Sequence, residues 1–240
     1  NAGETFADEP SVAIFGGTPA APGEFPWQCS LNYYGEHRCG CSIIGSTKIL
    51  TTASCVFNLK LPNNDFFVRT GTIDSIRGDV YFAQNITIHP NFTGKVSGMQ
   101  DDIAVITLAS PIQYNKYQSP IPLGFSLPAT GTPTTFSGWG WKGYEDPIYP
   151  QTLLKMTQST ISLSECQQTY ASKPLTSAHL CAYNRRGIGT CIGDHGGPLI
   201  ANGRQVGIAT SFTYCGADGK PDVYISVPHY FQSFIVKNLI

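Results

Sequence analysis

The sequence predicts an all-β protein, and three of its features support that prediction. Short stretches rich in β-branched and aromatic residues recur along the chain, separated by Gly, Pro and Asn turns, as is typical of β-sandwiches and barrels. A segment with four prolines, residues 110–128, separates these stretches into two sets and suits a connection between two similar halves. A length of 240 residues allows one large all-β domain or two smaller ones.

About twelve stretches have the composition of strands. In the first half of the chain they are residues 27–34, 37–44, 48–53, 66–70, 80–88 and 103–109. In the second half they are residues 133–139, 153–161, 178–183, 198–201, 205–212 and 222–227.

Two helices are expected among these strands. Ser162 and Glu165 have the Ser-x-x-Glu spacing of a capping box, which predicts a short helix that runs to about residue 171. Near the carboxyl terminus, Pro228 suits a first helical turn. The residues after it recur at helical spacing and predict one apolar face against a barrel: Phe231, Phe234, Ile235 and Leu239.

Charge and hydropathy exclude several classes of protein. Fifteen basic and sixteen acidic side chains give a net charge of -1, which does not fit the basic surface of a nucleic-acid-binding protein. No apolar run exceeds four residues, whereas a membrane-spanning helix needs about 18 or more. The acidic start of the chain lacks the apolar region of a signal peptide, so we expect any secretion signal to have been removed.

The eight cysteines, an even number, indicate disulfides made in an oxidising compartment and therefore a secreted protein. Zinc is the alternative explanation, but only Cys39 and Cys41 are closely spaced, and no two of the five histidines have zinc-finger spacing. We therefore expect no metal. Two sequons, at Asn85 and Asn91, are candidate glycosylation sites, although such tripeptides also arise by chance.

Four segments occur in an order that resembles the chymotrypsin-like serine proteases. They are Ile-Phe-Gly-Gly (14–17), Thr-Thr-Ala-Ser-Cys (51–55), Asp-Ile-Ala-Val (102–105) and Gly-Asp-His-Gly-Gly-Pro (193–198). The resemblance covers almost the whole chain and implies two six-stranded antiparallel β-barrels with a catalytic cleft between them. It implies a first barrel over 14–109, a linker over 110–128, and a second barrel with a C-terminal helix over 129–240.

Catalysis in that family needs a serine nucleophile, a histidine base and a buried aspartate that orients the histidine. The resemblance places Ser54 where the family has its histidine and His195 where it has its serine, and it retains only Asp102. It therefore implies a catalytically inactive homologue.

The resemblance also implies an unformed oxyanion hole. Active members are cleaved after Arg or Lys, and the freed amino terminus pairs with the aspartate that corresponds to Asp194, next to Gly193. Here Ala13 precedes Ile14, so residues 1–13 resemble an uncleaved propeptide. We expect Asp194 to lack its ammonium partner.

The specificity pocket is expected to be obstructed. The Ser-Trp-Gly of the family resembles Thr210, Ser211 and Phe212, so the Phe212 ring would fill the pocket. Gly189 aligns with the pocket floor, and Asp222 adds a carboxylate that a basic side chain could use.

An exchanged arrangement, in which Ser54 attacks and His195 acts as the base, is the chemical alternative. It requires a nucleophile about 3 Å from the reacting atom and a base with its own orienting group. We favour Ser54 as a small filler of the space that an imidazole leaves. We also hypothesise that the His195 ring turns into this space toward Ser54 and Asp102, with Thr210 as a competing donor to Asp102.

The cysteines agree with the resemblance, which implies three bridges: Cys39–Cys55, Cys166–Cys181 and Cys191–Cys215. Cys29 and Cys41 remain. They flank a predicted hairpin centred near Gly35, so a fourth, cross-strand bridge is geometrically reasonable.

A secreted protease fold without its triad predicts a pseudoprotease that binds another molecule through surface loops. The combined losses resemble the inactivated protease paralogues of scabies mites, relatives of the group 3 mite allergens. That resemblance implies interference with host complement components in the mite gut.

Two alternatives remain open: a residual or unusual hydrolase, and a decoy that captures inhibitors or peptides without cleaving them. We expect a monomer with no cofactor, nucleic-acid partner or membrane partner. Candidates for the binding surface, chosen only by expected exposure on loops, are His37, Arg38, Lys142, Tyr144, Arg185 and Arg186.

Overall fold

A computed structural model describes residues 14, 16–94, 100–143, 147–211 and 214–239. The propeptide-like segment 1–13 lies outside the described residues, as do Tyr144, Phe212 and the side chain of Ser211. In the described part of the chain, no helix has the length and apolar composition needed to cross a membrane.

Seven strands lie in the first half of the chain, and six of them close into a barrel. They are β1 (Thr18–Pro19), β2 (Gln28–Tyr33), β3 (Glu36–Gly45), β4 (Lys48–Thr51), β5 (Phe66–Thr70), β6 (Asp79–Ile88) and β7 (Ala104–Leu108). The barrel order is β2-β3-β4-β7-β6-β5. Alternation along β5 gives the barrel an apolar interior: Phe66 and Val68 are buried in its core, while Phe67 between them is partly exposed. Each such burial contributes about 1.5–3 kcal/mol.

The strands of the second half close a second barrel of six. They are β8 (Pro133–Gly138), β9 (Leu154–Ile161), β10 (His179–Tyr183), β11 (Pro198–Ala201), β12 (Arg204–Ser211) and β13 (Asp222–Ser226). The order is β9-β10-β13-β12-β11-β8, and pairing of β8 with β9 completes the ring. The predicted two-barrel fold is confirmed. The two-residue β1, which pairs with β9, was not predicted because it is too short to show a pattern.

Both predicted helical regions are present. Helix α1 (Leu163–Thr169) begins as the capping box predicts, because the Ser162 hydroxyl accepts a hydrogen bond from the Glu165 amide at 3.2 Å. The C-terminal region is helix α2 (Val227–Tyr230), followed by a π-helical turn and a 3-10 turn that ends at Asn238. Its apolar face is shorter than predicted, since Leu239 is 37% exposed.

Four disulfides join the pairs that the sequence analysis predicts. They are Cys29–Cys41, Cys39–Cys55, Cys166–Cys181 and Cys191–Cys215. The first of these links directly opposite residues of β2 and β3.

The two barrels share an apolar seam. Leu50 and Ile103 of the first barrel lie in one buried cluster with Ile208 and Ile225 of the second barrel, and Tyr230 of α2 completes it. Because segments from both barrels end at this seam, side chains far apart in the sequence meet there.

Candidate functional site

The three residues that the resemblance places at the triad positions, Ser54, Asp102 and His195, lie in segments that meet at the seam. Ser54 lies in a 3-10 turn (Ala53–Cys55) just after β4, and Asp102 lies just before β7. The loop that carries His195 reaches the first barrel, because the Gly40 amide donates to the His195 carbonyl at 2.7 Å. Two backbone hydrogen bonds fix this loop on the second barrel. The Gly196 amide donates to the Ala209 carbonyl at 2.8 Å, and the Ala209 amide donates to the Gly197 carbonyl at 2.9 Å.

The Asp102 carboxylate is buried and fully hydrogen-bonded. Its Oδ1 accepts from the Ser54 amide at 2.6 Å, and its Oδ2 accepts from the Ser54 hydroxyl at 2.9 Å and the Thr210 hydroxyl at 2.8 Å. Burial raises the pKa of Asp102, and these hydrogen bonds act in the opposite direction. Ser54 is therefore more than the small filler we favoured, because its hydroxyl supplies a hydrogen bond to the carboxylate.

His195 does not take the position that we hypothesised. Among the described residues, the hydrogen bonds to Asp102 come from Ser54 and Thr210, and none joins Asp102 or Ser54 to the His195 ring. The residue is partly exposed, but its Nε2 atom is buried. Burial lowers the pKa of His195 to about 4, so its imidazole is neutral at physiological pH.

Asp194 is a second buried carboxylate, with a different set of donors. The Gly140 amide donates to Oδ1 and the Cys191 amide donates to Oδ2, each at 2.9 Å. Within the described segments, no cationic side chain forms an ion pair with it. Burial raises the pKa of Asp194 to about 7, and the two amides only partly offset that effect.

Ile14 packs into the core of the second barrel and provides no charged amino terminus. Its side chain is fully buried in the core of the second barrel, and its φ of 47° is unusual for a β-branched residue. Because Ala13 precedes it in the sequence, the Ile14 nitrogen is an amide rather than an ammonium.

His37 holds the loop beside Asp194, a role that the sequence analysis missed. Its Nε2 lies 2.9 Å from the Gly193 carbonyl oxygen, which can only accept, so Nε2 carries the hydrogen. Its Nδ1 then accepts from the Ser30 hydroxyl at 2.6 Å.

Our placement of His37 on an exposed loop is wrong, because the residue is buried within β3. Burial lowers its pKa to about 4. The signal was available in the sequence: Glu36 and Arg38 flank His37, and period-two alternation turns it to the opposite face of the strand from these two charges.

The predicted pocket floor is a buried polar network. Asp222 Oδ2 accepts from the Gln158 side-chain amide at 2.6 Å and from the Thr190 amide at 2.9 Å. The Thr190 hydroxyl donates to Oδ1 at 3.0 Å. Burial raises the pKa of Asp222 to about 7. A Cβ atom at Gly189 would lie 3.3 Å from Asp222 Oδ1 and 2.9 Å from Gly216 Cα, so this floor requires glycine. Obstruction by Phe212 stays a prediction, because that residue lies outside the described ones.

The other candidates lie on the surface. Arg38 is exposed and pairs with Glu36 at 3.2 Å, and Lys142 is half-buried. Both sequon asparagines are exposed: Asn85 on β6 and Asn91 in the turn that follows it. Arg185 and Arg186 are exposed in the turn after β10.

Known proteins match this chain along nearly its full length. The family described as Trypsin matches residues 14–235. Trypsin of Sus scrofa is 33% identical over 230 residues, covering 94% of this chain and 95% of that protein. Trypsin-3 of Salmo salar is 31% identical over 230 residues, covering 93% and 92% respectively. Among solved structures, this chain is similar to neuropsin, a serine protease expressed in the limbic system of mouse brain. The two share 26% sequence identity and superpose with a TM-score of 0.83, and the match covers 94% of this chain and 99% of neuropsin.

Proposed function

Because the chain belongs to the trypsin family of serine proteases, we propose that it is a family member without proteolytic activity that acts by binding another protein. The bonding of Asp102 is the observation that supports this proposal. In the triad mechanism an imidazole lies between the aspartate and the nucleophile and accepts the nucleophile's proton. Here a serine hydroxyl is bonded to that aspartate at 2.9 Å, and a hydroxyl is not a general base at neutral pH.

The exchanged pair finds no support in this geometry. The Ser54 hydroxyl directs its hydrogen at a carboxylate, which is a weaker base than an imidazole. In the described structure no hydrogen bond links Ser54 to His195, so the histidine is not placed to activate it. A hydrolase that uses Ser54 as its nucleophile would need a rearranged site.

We propose an extracellular location and a host complement component as the partner. Four disulfides fit an oxidising compartment. The choice of complement depends on the resemblance to the inactivated mite paralogues, and it is the finer part of the proposal.

Peptide hydrolysis tests the loss of activity. The purified chain is incubated with fluorogenic peptides that carry Lys, Arg or an apolar residue before the scissile bond, with trypsin of Sus scrofa as the active reference. We expect no turnover above buffer. Turnover that disappears in His195→Ala would contradict the proposal.

Binding to immobilised purified complement proteins tests the second part. We expect saturable binding and reduced lysis of antibody-coated erythrocytes in serum. The control is trypsin of Sus scrofa with its nucleophile covalently blocked, which offers the same fold without activity. Absence of binding to every component would refute the complement assignment and leave the loss of activity untouched.

A further inference from the structure

The second half of the chain has more basic than acidic side chains. Residues 129–240 hold eight Lys and Arg and six Asp and Glu. Two of those six, Asp194 and Asp222, are buried and contribute no surface charge that could balance the cations.

Four of the eight cations lie on three loops that are hydrogen-bonded to one another, and we call these four residues the cationic shelf: Lys173, Arg185, Arg186 and Lys220. Three loops form it, and each is fixed to another. The Tyr170 hydroxyl donates to the Pro221 carbonyl at 2.6 Å, and Gly187 N donates to Gly216 O at 2.9 Å. Arg186 Nε donates to the Ala217 carbonyl at 2.8 Å, which holds that side chain against the third loop.

Two of the shelf cations, Lys173 and Lys220, are close enough to interact with each other. Burial lowers the pKa of Lys173, and the charge of Lys220 lowers it further. Among the ion pairs of the described residues, Asp218 is the carboxylate that pairs with a shelf cation, because its Oδ2 lies 3.5 Å from Lys220 Nζ. Its charge also raises the pKa of Lys173. Three of the shelf cations, Arg185, Arg186 and Lys220, are exposed, and the Asp218 carboxylate leaves these three with a surplus of two positive charges.

The chemistry of the shelf favours a sulfated polysaccharide over a protein. Protein interfaces depend on a few buried aromatic or apolar anchors. The large apolar side chains that are exposed in the described residues all lie outside these three loops. Guanidinium and ammonium groups spread over an open surface instead match a linear polyanion, because each can pair with one of its repeated sulfate groups.

We infer that the cationic shelf is a binding site for a sulfated glycosaminoglycan chain. This inference is independent of the proposed complement partner, because the polysaccharide contacts only the three loops named above. Binding is mainly electrostatic and displaces counterions, so the affinity falls steeply as salt rises.

Heparin binding, measured by surface plasmon resonance at about 0.1 M salt, tests the inference. The variant Arg185→Gln/Arg186→Gln/Lys220→Gln should bind heparin about tenfold or more weakly. The control Lys60→Gln/Lys116→Gln/Lys237→Gln removes the same charge from exposed residues elsewhere and should change the affinity less than about twofold. Equal losses in the two triple variants would overturn the site, because they would show a general charge effect.

Two further measurements separate the remaining explanations. Arg185→Gln/Lys220→Gln leaves the Arg186 bond to Ala217 intact, so a weakened affinity in this variant with an unchanged melting temperature supports the site without a folding defect. Polyglutamate serves as an unsulfated anionic probe. Binding of polyglutamate as tight as that of heparin would overturn the sulfated ligand in favour of an acidic protein segment.

Discussion

Asp102, just before β7, and Asp194, in the loop before β11, are buried carboxylates on opposite sides of the seam that differ in what donates to them. Two hydroxyls and an amide serve Asp102, whereas two backbone amides serve Asp194. In the first case the Ser54 hydroxyl supplies a hydrogen bond that acts against the rise in pKa that burial causes. For Asp194 no cationic side chain of the described residues forms an ion pair with the carboxylate, and burial raises its pKa to about 7. Burial raises the pKa of both carboxylates, and hydrogen bonds act against that rise at both. The hydroxyl donors to Asp102 can be removed by substitution, whereas the two donors to Asp194 belong to the backbone.

The largest expected effect is on the pH dependence of stability. Because the pKa of Asp194 rises from 3.8 to about 7, the native state keeps a proton that the unfolded chain releases between those pH values. Stability therefore falls as pH rises through this range, by about 4 kcal/mol for this group. Asp222 acts in the same direction, whereas the lowered pKa values of His37 and His195 raise stability as pH increases from about 4 to 6.5.

Denaturant unfolding between about pH 4 and pH 8, for the wild type and Asp194→Asn, isolates the Asp194 contribution. Asparagine cannot release a proton, so the variant should lose less stability, or gain more, as pH rises toward 7. The slope is the readout, because the amide also alters the bonds to Gly140 and Cys191. Parallel pH profiles would contradict the account of Asp194 as a buried carboxylate without a cation.

The difference between the two sites also marks the limit of what the sequence predicts. Strand positions can be predicted from alternation and turn residues, because these are local patterns. Three disulfides can be predicted from the resemblance, because they belong to the family fold. The Ser54–Asp102 bond joins residues 48 positions apart, and only the packed seam fixes its geometry. The contacts of His37 depend in the same way on Gly193, which lies 156 residues away.

Ser54→Ala tests the hydrogen bonding of Asp102 and should have the next largest effect on stability. It removes the hydroxyl bond to Asp102 and the contact with Thr52 Oγ1 at 3.2 Å, so we expect a loss of about 1–3 kcal/mol in the free energy of unfolding. Ser110→Ala, at an exposed serine, is the matched control and should stay within about 0.5 kcal/mol of the wild type. Equal stability of all three proteins would show that the Ser54 hydroxyl does not support Asp102.

Thr210→Val should have a smaller effect. Valine keeps the shape of threonine and removes one hydroxyl donor, while the Ser54 amide and hydroxyl still serve Asp102. We expect a loss of about 1 kcal/mol by thermal unfolding. A loss greater than that of Ser54→Ala would make Thr210, rather than Ser54, the main partner of the carboxylate.

Covalent labelling with a fluorophosphonate probe, followed by peptide mass spectrometry, tests the central claim most directly. The probe reacts with a serine whose hydroxyl a neighbouring base has activated. With Ser54 bonded to Asp102 and no hydrogen bond to His195 in the described structure, we predict no labelled peptide under conditions that label trypsin of Sus scrofa fully. A phosphonyl adduct on Ser54 that is lost in His195→Ala would contradict the account.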